Sequence, residues 1–212
     1  MQLPEICLLM PPPSPERIIF KAVTSAEWSD LERFFLSVPG SSMCWCMYWR
    51  KTRAQWWDNA AENRADMQDI VEGGVPPGIL AYDRGEPVAW CSIAPRSEFP
   101  GLERSLTLRA VDSEQVWSIT CFTIARSHRK MGVTPLLIQA AIDHAVKNGA
   151  RVIEAYPMTN LPQKRRTVGE AFMGFSTTFE RLSFRQVSER SRVRNIWRFC
   201  LPPNANESPD TV

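Results

Sequence analysis

Residues 116–148 read VWSITCFTIARSHRKMGVTPLLIQAAIDHAVKN, and this stretch decides the fold. Val116 to Ile124 is dense in β-branched and aromatic residues, which fit the pleated surface of a buried strand. Val133, Leu136, Leu137, Ala140, Ala141 and Ala145 then recur at steps of three and four, one apolar stripe of a helix. Between strand and helix lies Arg129-Lys130-Met131-Gly132-Val133-Thr134, basic and holding one glycine. A helix start presents unpaired N–H groups and the positive end of the macrodipole, so an anion such as a phosphate is its natural occupant. Pro135 has no N–H to orphan and its φ suits a first turn. A plain basic turn without a ligand is the alternative.

Outward from this unit, the chain order is regular. Arg17 to Val23 reads as a strand and Ala26 to Ser37 as a helix capped by Thr24 or Ser25. Trp57 to Val71 reads as a polar helix. Gly78–Asp83 and Val88–Ala94 flank the turn Arg84-Gly85-Glu86-Pro87 as two strands. Leu106 to Leu108 is a candidate short strand. Asn148-Gly149 stops the long helix, Arg151 to Tyr156 is the next strand, Ala171 to Leu182 a short helix, and Phe184–Val187 with Val193–Phe199 a closing hairpin. Residues 1–16, rich in proline, are expected to be an extension, residues 17–200 one domain, and residues 201–212 a tail.

Strand, Arg129-x-x-Gly132-x-Thr134 and helix together resemble the pyrophosphate loop of the GNAT superfamily of N-acetyltransferases, written Arg/Gln-x-x-Gly-x-Gly/Ala. Phe179-Glu180-Arg181-Leu182-Ser183-Phe184 resembles the family's Tyr-Glu-Lys-Leu-Gly-Phe, with Phe179 where many members carry tyrosine. The resemblance covers roughly residues 18–199. It implies an α/β (α+β) fold with a mixed, mostly antiparallel central sheet flanked by helices. It also implies transfer of an acetyl group from acetyl-CoA to an amine by direct attack. The resemblance places the pantetheine arm against Phe122, Thr123 and Ile124, with the Ile124 N–H donating to the thioester oxygen. The pyrophosphate would lie on Arg129, Lys130, Met131, Gly132, Val133 and Thr134. Lys164, Arg165 and Arg166 are candidates for the 3′-phosphate, or for a solvated basic loop.

The family often places a carboxylate base near the positions of Ser118 and Thr120, both neutral here. Glu154, on the next strand, is the nearest candidate for that base, and equally a candidate for pairing with an arginine. Cys121 is a candidate nucleophile or a core thiol, with no histidine placed to activate it. Trp45, Trp49 and Trp90 are read either as core or as the aromatic wall of an acceptor pocket.

Charge is uneven. Residues 1–125 hold 11 Lys and Arg against 16 Asp and Glu, a balance of −5, whereas residues 126–200 hold 14 against 5, or +9. A polyanionic coenzyme accounts for the basic half, which ranks nucleic acid last as a partner. The acidic half points to a cationic acceptor, a small-molecule or peptide amine. No apolar run approaches the ~20 residues of a membrane span. Six scattered cysteines read as reduced thiols of a cytoplasmic protein, and Cys44-Trp45-Cys46 lacks a second ligand pair, so no metal is expected. The acceptor's identity is not legible, and a homodimer is compatible with the sequence. A non-catalytic acyl-CoA-binding regulatory module is the alternative to an enzyme.

Overall fold

A computed structural model describes residues 17–159 and 171–202. The expected extension, the basic run at 164–166 and most of the expected tail lie outside the described residues.

The strand at the centre of the sequence, β4 (Trp117–Ile124), leads through a 3₁₀ turn at Arg126–His128 into a long helix, Val133–Lys147. Earlier in the chain come β1 (Ile18–Ala22), β2 (Gly78–Asp83) and β3 (Glu86–Pro95), and later β5 (Val152–Ala155), β6 (Arg185–Gln186) and β7 (Trp197–Cys200). One seven-stranded sheet runs β1-β2-β3-β4-β5-β7-β6. All its pairings are antiparallel except β4 with β5, which are parallel because the long helix carries the chain back across the sheet. The helices are α1 (Trp28–Ser37), α2 (Ser41–Cys44), α3 (Arg53–Trp56), α4 (Ala60–Glu72), α5 (Pro100–Arg104), the long α6 and α7 (Ser176–Arg181).

The expected helix at 57–71 begins later, at Ala60, because the Thr52 capping box starts the separate turn α3 and Trp57 leaves it in extended conformation. Leu106–Leu108 is a turn rather than a strand: the Leu108 N–H donates to Ser105 Oγ at 3.2 Å and finds no ladder. The helix expected at 171–182 is confined to 176–181, since the Met158 carbonyl and the Gly174 turn hold the segment before it.

Two cores sandwich the sheet. On one face α6 inserts Leu137, Ile138, Ala141 and Ala145 against Ile79, Ala89, Ile93 and Ile119. On the other, α1, α2 and α4 bring Leu31, Phe34, Phe35, Trp45 and Met67 onto Leu80 and Trp90. Each fully buried side chain of this size contributes roughly 1.5–3 kcal/mol, which is why the amphipathic stripe of α6 survives the cost of ordering it. A third cluster, holding Phe99, Leu102, Tyr156 and Met173, lies beyond the ends of β3 and β5.

Candidate active site

The site begins with a bulge. Ser92 of β3 pairs with Cys121, but Ile93 pairs with Ile119, so Thr120 is an extra residue in β4. A bulge bends its strand and strengthens the local twist. On the other side of β4, pairing with β5 covers only Trp117 to Ile119. Beyond the bulge, β4 and β5 part and leave a gap along Phe122 to Ile124.

Alternation decides which backbone groups face that gap. The Ala125 N–H donates to the Val88 carbonyl at 2.9 Å. Thr123, two residues earlier and opposite Trp90, therefore turns its backbone groups toward β3. Phe122 and Ile124 turn theirs into the gap. The Phe122 N–H donates to the Phe172 carbonyl at 2.6 Å, and the Ile124 carbonyl accepts from Arg129 Nε at 3.0 Å. Of the three residues expected to bind an arm through their backbone, two present it and Thr123 does not.

At the far end of the gap stands the Arg129–Thr134 loop. Lys130 and Gly132 have positive φ, 62° and 77°, an alternation that gathers backbone N–H groups into a concavity for anions. Gly132 is the N-cap of α6 and offers no side chain to its orphan N–H groups. A Cβ added at Gly132 would meet nothing within 4 Å, so the approach to the helix start is open. Arg129, Lys130 and Gly132 are exposed, whereas Val133 is anchored in the core. His128 is engaged elsewhere, with Nε2 3.2 Å from Asp83, which also accepts from Arg17 at 2.6 Å.

Glu154 is fully buried and closed in by cations. Arg96 Nη1 donates to it at 2.6 Å and Arg198 Nε at 2.9 Å. The Tyr156 O–H donates to the same carboxylate at 2.8 Å and accepts from Arg96 at 2.7 Å, so the Ser118 hydroxyl, 2.7 Å away, is the donor to Tyr156. Burial, and then the Glu154 charge, push the Tyr156 phenol well above its ordinary range. Thr120 Oγ1 donates to Ser92 Oγ at 3.1 Å. Ser118 and Thr120 are thus both buried and engaged.

Phe179 packs edge-on against Phe184, with ring centroids 5.0 Å apart, and tilts against Phe122 at 6.2 Å. Cys46 is buried and accepts from the Trp90 indole at 3.2 Å; its hydrogen bond with Cys121 and its burial push its thiol well up. Burial raises Cys44 to about 11. Cys44 and Cys46 stay protonated at neutral pH, and Cys121 packs against the core on the α1 face.

The three tryptophans separate. Trp45 and Trp90 are sealed in the core, in edge contact with Phe35 at 5.2 and 5.7 Å, and so present no face to an acceptor. Trp49 lines a surface hollow of about 370 Å³ together with Tyr48, Lys51, Arg53, Trp56, Trp57, Gly101 and Arg104. Gly101 is required there: its N–H donates to the Trp49 carbonyl at 2.8 Å, and a Cβ would lie 2.7 Å from that oxygen. None of the hollow's three cations is among the expected site residues, although two of them, Lys51 and Arg53, stand in Tyr48-Trp49-Arg50-Lys51-Thr52-Arg53, where rings and charges interleave; the third, Arg104, comes from α5.

Residues 41–175, more than half the chain, match the model of the acetyltransferase (GNAT) family. None of the curated proteins matches in sequence. The fold is similar to that of the mosquito arylalkylamine N-acetyltransferase-like 5b (TM-score 0.54, 11% identity, 87% of this chain and 100% of that one). It is similar also to a GNAT-family acetyltransferase of Streptococcus agalactiae (0.52, 8%, 88% and 96%) and to the polyamine N-acetyltransferase of Drosophila melanogaster (0.51, 9%, 87% and 100%). At such identities the likeness is one of fold; the family rests on the matched sequence model, and by that match the chain belongs to the acetyltransferase (GNAT) family.

Proposed function

We propose that this protein moves an acetyl group from acetyl-CoA to the amine of a small molecule or peptide by direct attack. The observation that carries the proposal is the gap beyond the Thr120 bulge, bordered by the polar backbone of Phe122 and Ile124 and ending at the open N-terminus of α6. An extended arm with amide groups would complete that edge as an added strand does. The pyrophosphate would meet the N–H groups from Met131 to Thr134, with Arg129 and Lys130 adding charge. The Phe172 carbonyl now accepting from Phe122 would give way to the arm or leave it the stretch at Ile124.

In this reading the amine attacks the thioester carbonyl, the C–S bond breaks, and the leaving thiolate takes a proton from solvent. The Ile124 N–H would stabilise the charge developing on the oxygen. Glu154 fits a structural part better than that of base, since two guanidinium groups and a phenol occupy its oxygens. Deprotonation of the acceptor then falls to water. The test is release of free thiol from acetyl-CoA in the presence of a panel of amines. Acetylated product supports the proposal. Coenzyme binding without turnover of any amine would reduce the protein to an acyl-CoA-binding module.

A further inference from the structure

The hollow at Tyr48, Trp49, Trp56 and Trp57 has a chemistry of its own. Trp57 is 61% exposed and Tyr48 43%, large rings left to solvent side by side. Tyr48 meets Trp49 at 4.8 Å and Trp56 at 5.1 Å, both edge to face. The Trp49 indole N–H is buried and makes no hydrogen bond among the described residues. Among the described residues no carboxylate lines the hollow, but three cations do. Lys51 is paired with Asp66. Arg53 stands 5.7 Å over the Trp57 ring, and Arg104 donates to the Lys51 carbonyl at 2.8 Å; neither is ion-paired among the described residues. Two uncompensated guanidinium groups therefore border an aromatic floor.

Its position is as telling. Tyr48 lies 5.9 Å from the Phe172 ring, and the Phe172 carbonyl bonds the Phe122 N–H in the gap. The α5 side of the hollow follows β3 past Pro95, which pairs with Trp117 at the start of β4. The Arg129–Thr134 loop follows the other end of β4. Phosphate loop and hollow thus lie toward opposite ends of β4, and Phe172 joins the hollow to the gap between them.

We propose that this hollow is the acceptor's subsite, and that the acceptor is an amine bearing a flat aromatic body and a carboxylate, in the manner of an aromatic amino acid. The proposal rests on the acetyl-CoA reading above and reverses the cationic acceptor that the overall charge of residues 1–125 points to. That net charge is not at the hollow, whose lining among the described residues holds Lys51, Arg53 and Arg104 and no acid. Guanidinium groups favour a carboxylate through bidentate, charge-assisted bonds and would repel a second cation.

The test compares matched pairs, phenylalanine with phenethylamine and 4-aminobenzoate with aniline, by thiol release from acetyl-CoA. Binding is followed independently by quenching of the protein's tryptophan fluorescence without coenzyme. The carboxylate-bearing member of at least one pair is expected to have at least a tenfold higher kcat/KM. The double variant Arg53→Gln, Arg104→Gln is expected to raise its KM at least tenfold with kcat within threefold and acetyl-CoA affinity unchanged. Both arginines are exposed, so the variant's melting temperature should match the parent's. Equal or better use of phenethylamine and aniline, or an unaltered KM in the variant, overturns the proposal. If acetyl-CoA fails to bind, the acetyltransferase reading falls alone, and fluorescence decides the hollow. Quenching by the carboxylate compounds that the double variant abolishes sustains it; no quenching by any of the four compounds overturns it.

Discussion

At the scale of single residues, Glu154 is the sharpest case. A carboxylate 1% exposed between Arg96 and Arg198 is costly to disturb, because removing it takes from both guanidinium groups their buried partner and leaves each only its more exposed one, Glu103 for Arg96 and Asp112 for Arg198. Glu154→Gln should therefore cost stability, up to about 3–5 kcal/mol by the behaviour of broken buried pairs, and lower the melting temperature. The folded fraction should keep kcat within threefold. A loss of about 10²-fold with an unchanged melt would restore Glu154 as the base. Phe179→Tyr sets a hydroxyl among Phe122, Phe184 and the Gly174 turn. It should destabilise by about 1–3 kcal/mol if the hydroxyl finds no partner, and leave kcat within threefold. A tenfold rise in kcat would place that position in the reaction after all.

Asp83 carries a pH signature. The Arg17 hydrogen bond, and then His128, hold its carboxyl down at about 2 against desolvation. A folded pKa below the unfolded value of about 3.9 adds stability above that value, and the stability is lost as pH falls toward 2. Asp83→Asn should lower stability at neutral pH and flatten the acid limb of a melting-temperature profile between about pH 4 and 2. Asp112, held to about 2 by Arg198, keeps part of that limb in place. An identical acid limb in the variant would show the cluster contributes nothing.

At the scale of elements, the β4–loop–α6 unit was legible because its signals are local. A dense β-branched run, one glycine and a 3.6-residue stripe need no partner to be read. The Thr120 bulge was not legible, since it is a mismatch of register between two strands 28 residues apart at Ser92 and Thr120. The partners of Glu154 lie 58 and 44 residues away in sequence, so an ion pair and a base looked alike. Trp45 and Trp49 differ by four positions, but Trp45 and Cys46 take positive φ of 46° and 55°, so the helical spacing that would put both on one face is broken between them. Leu106–Leu108 misled because two leucines two apart imitate a strand, while Ser105 closes a turn beneath them.

At the scale of the molecule, the two faces of the sheet divide the labour. One core seats α6 and the phosphate loop; the other seats α1, α2 and α4 and, beyond them, the aromatic hollow. With Glu154 locked and Ser118 and Thr120 engaged, none of these candidate positions among the described residues offers a free base to the gap. An aliphatic amine should then be acetylated at a rate that climbs with pH through neutrality, with no descending limb below about pH 9, as its free-base fraction grows. A bell-shaped profile centred near pH 7 would require an acid and a base within the protein.

The central claim is that a polyphosphate coenzyme sits on the helix start at Gly132. Calorimetric titration of acetyl-CoA into the parent protein and into Gly132→Asp tests it most directly. The added carboxylate would lie at the positive end of α6, where the pyrophosphate belongs, in a backbone conformation with φ of 77°. Gly132→Ala, which shares that backbone cost and enters open space, is the control for strain. One-to-one binding by the parent is expected, near-parental affinity for Gly132→Ala, and at least tenfold weaker binding, about 1.4 kcal/mol, for Gly132→Asp. Absence of binding to the parent, or equal affinity of the aspartate variant, would contradict the account.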